Sequence, residues 1–167
     1  MKIEIRFSDE SLELVEKTIK KYPEGRQKSA LLPVLHLAQR EFGGWLSPEV
    51  MDYVASLLNI QSIEVYEVAT FYSMFYTEPV GKHVIEVCRT SPCCLAGAEK
   101  IISYLEKRLE IKTGETTADG MFTLKQVECL ASCGTAPVMQ VGDHYYENLT
   151  KDKLEDLLDA FRKETKE

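Results

Sequence analysis

The chain has 167 residues, 44% of them hydrophobic and 28% charged, and carries a formal net charge of -7. This is the composition of a soluble globular protein of one domain or two small ones, and the acidity argues against general binding to nucleic acid or anionic lipid, which needs clustered Lys and Arg. No apolar leader opens the chain and no run approaches the roughly eighteen apolar residues of a membrane span, so a cytoplasmic location is expected, where five cysteines, two of them adjacent, read better as metal or redox groups than as disulfides.

Ile3, Ile5 and Phe7 alternate with Lys2, Glu4 and Arg6, which suits a short strand or an extended arm. Ser8, followed by Asp9 and Glu10, offers a capping oxygen and first-turn acids, and Leu12, Val15 and Ile19 recur at helical spacing until Tyr22-Pro23-Glu24-Gly25 breaks the run. The first helix is therefore predicted over 9–21. A second begins near Ser29, with Pro33 in its first turn, and stacks Leu31, Leu35, Ala38 and Phe42 before Gly43-Gly44 stops it. Leu32, Val34 and Leu37 make it apolar on other sides, so it is expected at the centre of a helical bundle. Ser47-Pro48-Glu49 is an N-cap, a proline and a first-turn acid for a third helix, and Ser62 opens a fourth, which runs into the aromatic stretch from Phe71 to Tyr76.

After Pro79-Val80-Gly81 the pattern changes. Lys82 to Val87 is a β-branched strand that delivers Cys88, and Leu95, Ala98, Ile101, Ile102, Leu105 and Leu109 mark one helix of about fifteen residues. A polar turn leads to a second strand over 122–127, which ends at Cys129 and Cys133. Val138 to Val141 and Tyr145 to Glu147 flank a Gly142-containing turn, and a last helix follows Thr150. The order β-α-β-β-β-α is that of a thioredoxin-like mixed sheet. The fold class is thus α+β, with an N-terminal helical domain over 1–79 and a thioredoxin-like domain over 80–167.

In that topology Cys88 leaves the end of one strand and Cys129 the end of its parallel neighbour, so the pairs Cys88/Cys93 and Cys129/Cys133 converge on one edge of the sheet. Cys93, behind Pro92 at a helix start, is placed where free N–H groups favour a thiolate. The spacings C-x4-C and C-x3-C are wider than the C-x2-C knuckles usual for zinc and for thioredoxin-type dithiols, and they suit a [2Fe-2S] cluster; a structural zinc module and thiol redox chemistry are the rival readings. Arg89, Thr90 and Ser91 in one loop, and Ser132 and Gly134 in the other, are the candidate donors toward the sulfurs. His36 is read as a packed core histidine, the 71–76 aromatics as a packing seam and Trp45 as an anchor for its turn or a contact to a partner; His83 and His144 are not needed by a four-cysteine site. No nucleotide-, flavin- or hydrolase-type motif occurs, so the chain has no substrate site of its own and needs a partner for two-electron chemistry.

The segments SALLPVLHLAQREFGGWLSPEVMDYVASLL, EVYEVATFYSMF, GKHVIEVCRTSPCCLAG, VECLASCGTAPVMQV and YYENLT stand in this order between Ser29 and Phe161. With them the chain resembles the small, 24-kDa-type [2Fe-2S] subunit of the NADH-oxidising module of respiratory complex I. The resemblance implies that Cys88, Cys93, Cys129 and Cys133 hold a [2Fe-2S] cluster and that Cys94 is not a ligand. It also implies a tight partner, the larger subunit that binds FMN and NADH, in an NADH:quinone oxidoreductase whose membrane association is indirect and on the cytoplasmic side. Equivalent subunits of NAD-linked hydrogenases and formate dehydrogenases are the alternative. Three positions depart from the family's pattern: Arg89 stands where threonine is common, Ala131 where C-L-G-x-C has glycine, and Gly142 where asparagine usually precedes Asp143.

Overall fold

The computed structural model describes residues 5–164. The chain divides into two compact units, Met1–Pro79 and Val80–Glu167.

The first unit is helical. Helix α1 (Asp9–Ile19) starts where the Ser8 hydroxyl accepts the Ser11 amide, and it stops two residues before the predicted end. The Lys21 and Tyr22 amides there turn to carbonyls three residues back, at 3.2 and 3.1 Å, which tightens the chain out of the α-helix. Of the predicted strand or arm over 3–7, residues 1–4 lie outside the described part, and Ile5 to Phe7 form no strand. Phe7 is instead buried against the Phe42 and Tyr53 rings, with centroids at 5.1 and 5.6 Å.

A 3-10 turn (Gln27–Ala30) leads into α2 (Leu31–Glu41), followed by α3 (Pro48–Leu58) and α4 (Ser62–Phe71). Ser47 caps α3 from its side chain, Pro48 occupies the first turn, and Asn59 ends the helix in the left-handed region at φ 50°. Gln61 and Glu64 form a reciprocal capping box at α4. One core joins Leu31, Val34, Leu35 and Ala38 of α2 to Leu46, Val54, Leu58, Val65 and Ala69, with Leu32 and Leu37 half-buried against it. Phe75 is buried in the same core and His36 packs on its ring, whereas Phe71 stands exposed. Trp45 is half-buried in its turn.

The second unit is a four-stranded mixed sheet of order β2-β1-β3-β4, built from β1 (His83–Cys88), β2 (Phe122–Val127), β3 (Met139–Val141) and β4 (His144–Tyr146). Strands β1 and β2 are parallel, in register from His83 opposite Phe122 to Cys88 opposite Val127, while β3 pairs antiparallel with β1 and with β4. The crossover from β1 to β2 is two helices, α5 (Ser91–Leu95) and α6 (Ala98–Leu109), where the sequence predicts one. Gly97 separates them at φ 101°, a conformation that ends one helix and resets the axis of the next. Helix α7 (Lys151–Lys163) follows its Thr150 cap.

Ile85 and Val87 of β1, Phe122 and Leu124 of β2 and Met139 of β3 share one core with Ile102 and Leu105 of α6 and Leu154, Leu158 and Phe161 of α7. A separate small apolar cluster of Cys88, Cys93, Ala98, Leu130 and Val138 lies under the cysteine loops. Among the described residues, no helix is long and apolar enough to cross a membrane.

Candidate metal centre

Because β1 and β2 are parallel and in register, their C-terminal ends fall side by side. The Cys88 amide donates to the Val138 carbonyl at 3.1 Å and the Arg89 amide to the Val127 carbonyl at 3.0 Å, so the end of β2 and the residue just before β3 hold the first loop at its origin. Cys88 ends β1, Cys93 lies in α5, and Cys129 and Cys133 occupy the loop after β2, with Cys133 opening a 3-10 turn that ends at Thr135. The Ala136–Pro137 peptide bond that leads on toward β3 is cis.

All five thiols are free. Their environments differ sharply. Cys88 and Cys93 are buried, at 2% and 1% exposure, on the Leu130, Val138 and Ala98 floor. Cys129 and Cys133 are exposed and Cys94 is half-buried. Among the described residues no three His, Cys, Asp or Glu side chains close on one point as a single ion would require.

Main-chain groups supply most of the polar contacts to sulfur. Despite its burial, Cys88 is held below the usual thiol range by hydrogen bonds with the Thr90 hydroxyl, the Thr90 and Leu130 backbone and the neighbouring Cys93. Its Sγ lies 3.3 Å from Thr90 Oγ1 and donates as a thiol to the Glu128 carbonyl at 3.1 Å. Cys93 goes the other way: burial, with the adjacent Cys88 adding to it, pushes its thiol up to about 11. This corrects the expectation that a helix start favours the Cys93 thiolate: burial and the neighbouring Cys88 act against it.

The donors named from the sequence are only partly the ones in place. Thr90 meets Cys88 as expected. The Ser132 hydroxyl donates instead to Glu147 Oε1, which also accepts the Thr135 hydroxyl at 2.7 Å, so Ser132 braces its loop against the segment after β4. The Arg89 guanidinium goes to Glu128. A donor that sequence reasoning missed is the Ala131 amide, 3.3 Å from Cys129 Sγ. Its signal was the glycine that the related C-L-G-x-C pattern has there: Ala131 sits at φ 55°, where glycine is favoured and where its N–H turns back toward sulfur. Cys94 donates to the Arg89 carbonyl at 3.0 Å, pointing its thiol into its own loop.

Four cysteine sulfurs on two loops, two over a dry floor and two at the surface, are a soft donor set that fits an iron-sulfur cluster. The comparisons with known proteins agree on that chemistry. Residues 15–162 match the family described as thioredoxin-like [2Fe-2S] ferredoxin. The chain is 48% identical over 166 residues to the E subunit of NADH-quinone oxidoreductase from Rickettsia felis, spanning 99% of each protein. It is 46% identical over 156 residues to the mitochondrial NADH dehydrogenase [ubiquinone] flavoprotein 2 of Dictyostelium discoideum, covering 93% of this chain and 63% of that one. Among solved structures, an air-oxidized NAD+-reducing [NiFe]-hydrogenase shares the fold with a TM-score of 0.69 at 19% identity, over 80% of this chain and 23% of the hydrogenase chain.

Proposed function

The chain belongs to the thioredoxin-like [2Fe-2S] ferredoxin family, and on that footing we propose that it is the one-electron-transfer subunit of an NADH:quinone oxidoreductase. When bound, the [2Fe-2S] cluster supplies reversible one-electron chemistry. Cys88, Cys93, Cys129 and Cys133 are the proposed ligands, and what supports this is that Cys88 ends β1 and Cys129 and Cys133 lie in the loop that follows its parallel neighbour β2. The buried pair and its apolar floor exclude water from one side of the site. The exposed pair opens the other side to a partner, which we take to be the larger FMN- and NADH-binding subunit, on the cytoplasmic side of a membrane-bound complex.

Thr90, Leu130, Ala131 and Val138 orient the sulfurs through hydrogen bonds. No residue of the chain is assigned to bind or transform a substrate; the two-electron step belongs to the partner. The enzymatic role of the chain is therefore that of an electron carrier within the oxidoreductase.

The test is spectroscopic and then functional. The purified protein should be reddish-brown and give a spin-one-half EPR signal from one two-iron centre on dithionite reduction; a colourless protein holding stoichiometric zinc would overturn the reading in favour of a structural zinc module. Co-purification with the flavin subunit, and reduction of the cluster by NADH only in its presence, then tests the partner.

A further inference from the structure

The parallel register of β1 and β2 ends with Cys88 opposite Val127. One residue further on, Arg89 and Glu128 meet across the two loops: Nε at 3.3 Å and Nη2 at 3.1 Å both donate to Glu128 Oε1. Each is the chain neighbour of a proposed ligand, Arg89 of Cys88 and Glu128 of Cys129. Their side chains are 53% and 77% exposed, so as a contribution to folding the pair is worth only about 0–1 kcal/mol. Its position matters more than that stability. Four thiolates around an oxidised two-iron core carry two negative charges, and reduction makes it three, so a cation and an anion on the residues next in the chain to two of the sulfurs act on the two oxidation states unequally.

We propose, resting on the cluster assignment above, that Arg89 and Glu128 are a charge-compensating pair, each cancelling the other's effect on the cluster's reduction potential. Reduction adds one electron, given up by a reduced flavin or by dithionite, and no bond forms or breaks. The Arg89 guanidinium favours the extra negative charge, the Glu128 carboxylate opposes it, and their ion pair keeps the net field at the site small. Removing either partner unmasks the other. The Arg89→Gln variant therefore lowers the potential and the Glu128→Gln variant raises it. The double variant, which removes both charges, returns close to the parent value. A clamp that acted only by holding the loops together would move both single variants in the same direction.

The experiment is a redox titration of the full chain followed by EPR, for the parent, both single variants and the double variant. Each single variant should change the reduced-to-oxidised ratio at a fixed potential by about threefold, in opposite directions, which is about 28 mV at about 59 mV per tenfold for one electron. Both shifts should shrink as salt rises, because the pair is exposed and the screening length falls from about 10 Å at 0.1 M to about 3 Å at 1 M. Shifts of the same sign, or none in either variant, overturn the proposal while leaving the cluster assignment intact. Absence of a two-iron signal from the parent protein overturns the cluster assignment and this inference with it. If Arg89→Gln loads no cluster, Glu128→Gln decides alone: an upward shift supports the pair, and a downward or absent shift overturns it.

Discussion

Cys94 and the four other cysteines differ in what their sulfurs face, and a serine scan separates them. The Cys94 thiol donates to the Arg89 carbonyl at 3.0 Å, a bond that a serine hydroxyl can replace. Cys94→Ser should therefore keep the EPR signal per mole of protein, whereas serine at Cys88, Cys93, Cys129 or Cys133 should abolish it or shift its g-values; loss in Cys94→Ser alone would refute the ligand assignment. Ala131 holds φ 55° against the preference of an L-residue. Ala131→Gly relieves that, partly offset by the greater freedom of glycine in the unfolded chain, and should stabilise by about 0.5–1 kcal/mol in urea unfolding.

His83 gives a pH signature. It is 9% exposed, stacked on Phe161 at 4.7 Å, and its Nε2 has no hydrogen-bond partner among the described residues. Burial holds its pKa below the usual histidine value, with Lys82 acting in the same direction and Glu164 and a backbone hydrogen bond at Phe161 acting against it. The folded state thus keeps His83 neutral where the unfolded chain protonates. Its contribution is complete above about pH 6.5 and is lost as the pH falls from there through the depressed folded value. His83→Phe should flatten the stability profile as the pH falls below about 6.5, measured by denaturant unfolding, and leave the profile above about pH 7 unchanged in slope.

At the scale of elements, helix caps and strand composition act locally and were readable from the sequence. Ser8, Ser47 and Thr150 cap as their positions indicate, and β2 covers the predicted residues. The division of the β1-to-β2 crossover at Gly97 was not readable. Apolar spacing carries through Leu95 and Ala98 without interruption, and a single glycine in a helical pattern is compatible with either outcome. The break leaves Cys93 on a helix of only five residues. Gly81 has a similar hidden role. A Cβ there would lie 2.8 Å from the Phe122 carbonyl carbon and 2.9 Å from the Phe122 nitrogen, both backbone atoms that cannot rotate away. Gly81→Ala should cost about 2–3 kcal/mol by forcing apart the start of the parallel pair, read as a fall in thermal midpoint.

For the molecule as a whole, the unit Val80–Glu167 contains all five cysteines, the complete sheet and its own core. Residues 80–167 produced alone should therefore fold and load a cluster with the parent EPR signal; failure to load would show that the site depends on the N-terminal helices. The sequence by itself determined the kinds of element, the cysteine spacings and, through motifs in a fixed order, the family, because capping, periodicity and ligand spacing are properties of neighbouring residues. The tertiary structure decided which cysteines are buried, that Ser132 bonds Glu147, and that Arg89 bonds Glu128. These are contacts between segments distant in sequence, fixed by strand register and by competition for burial, and no local pattern encodes which side chain wins.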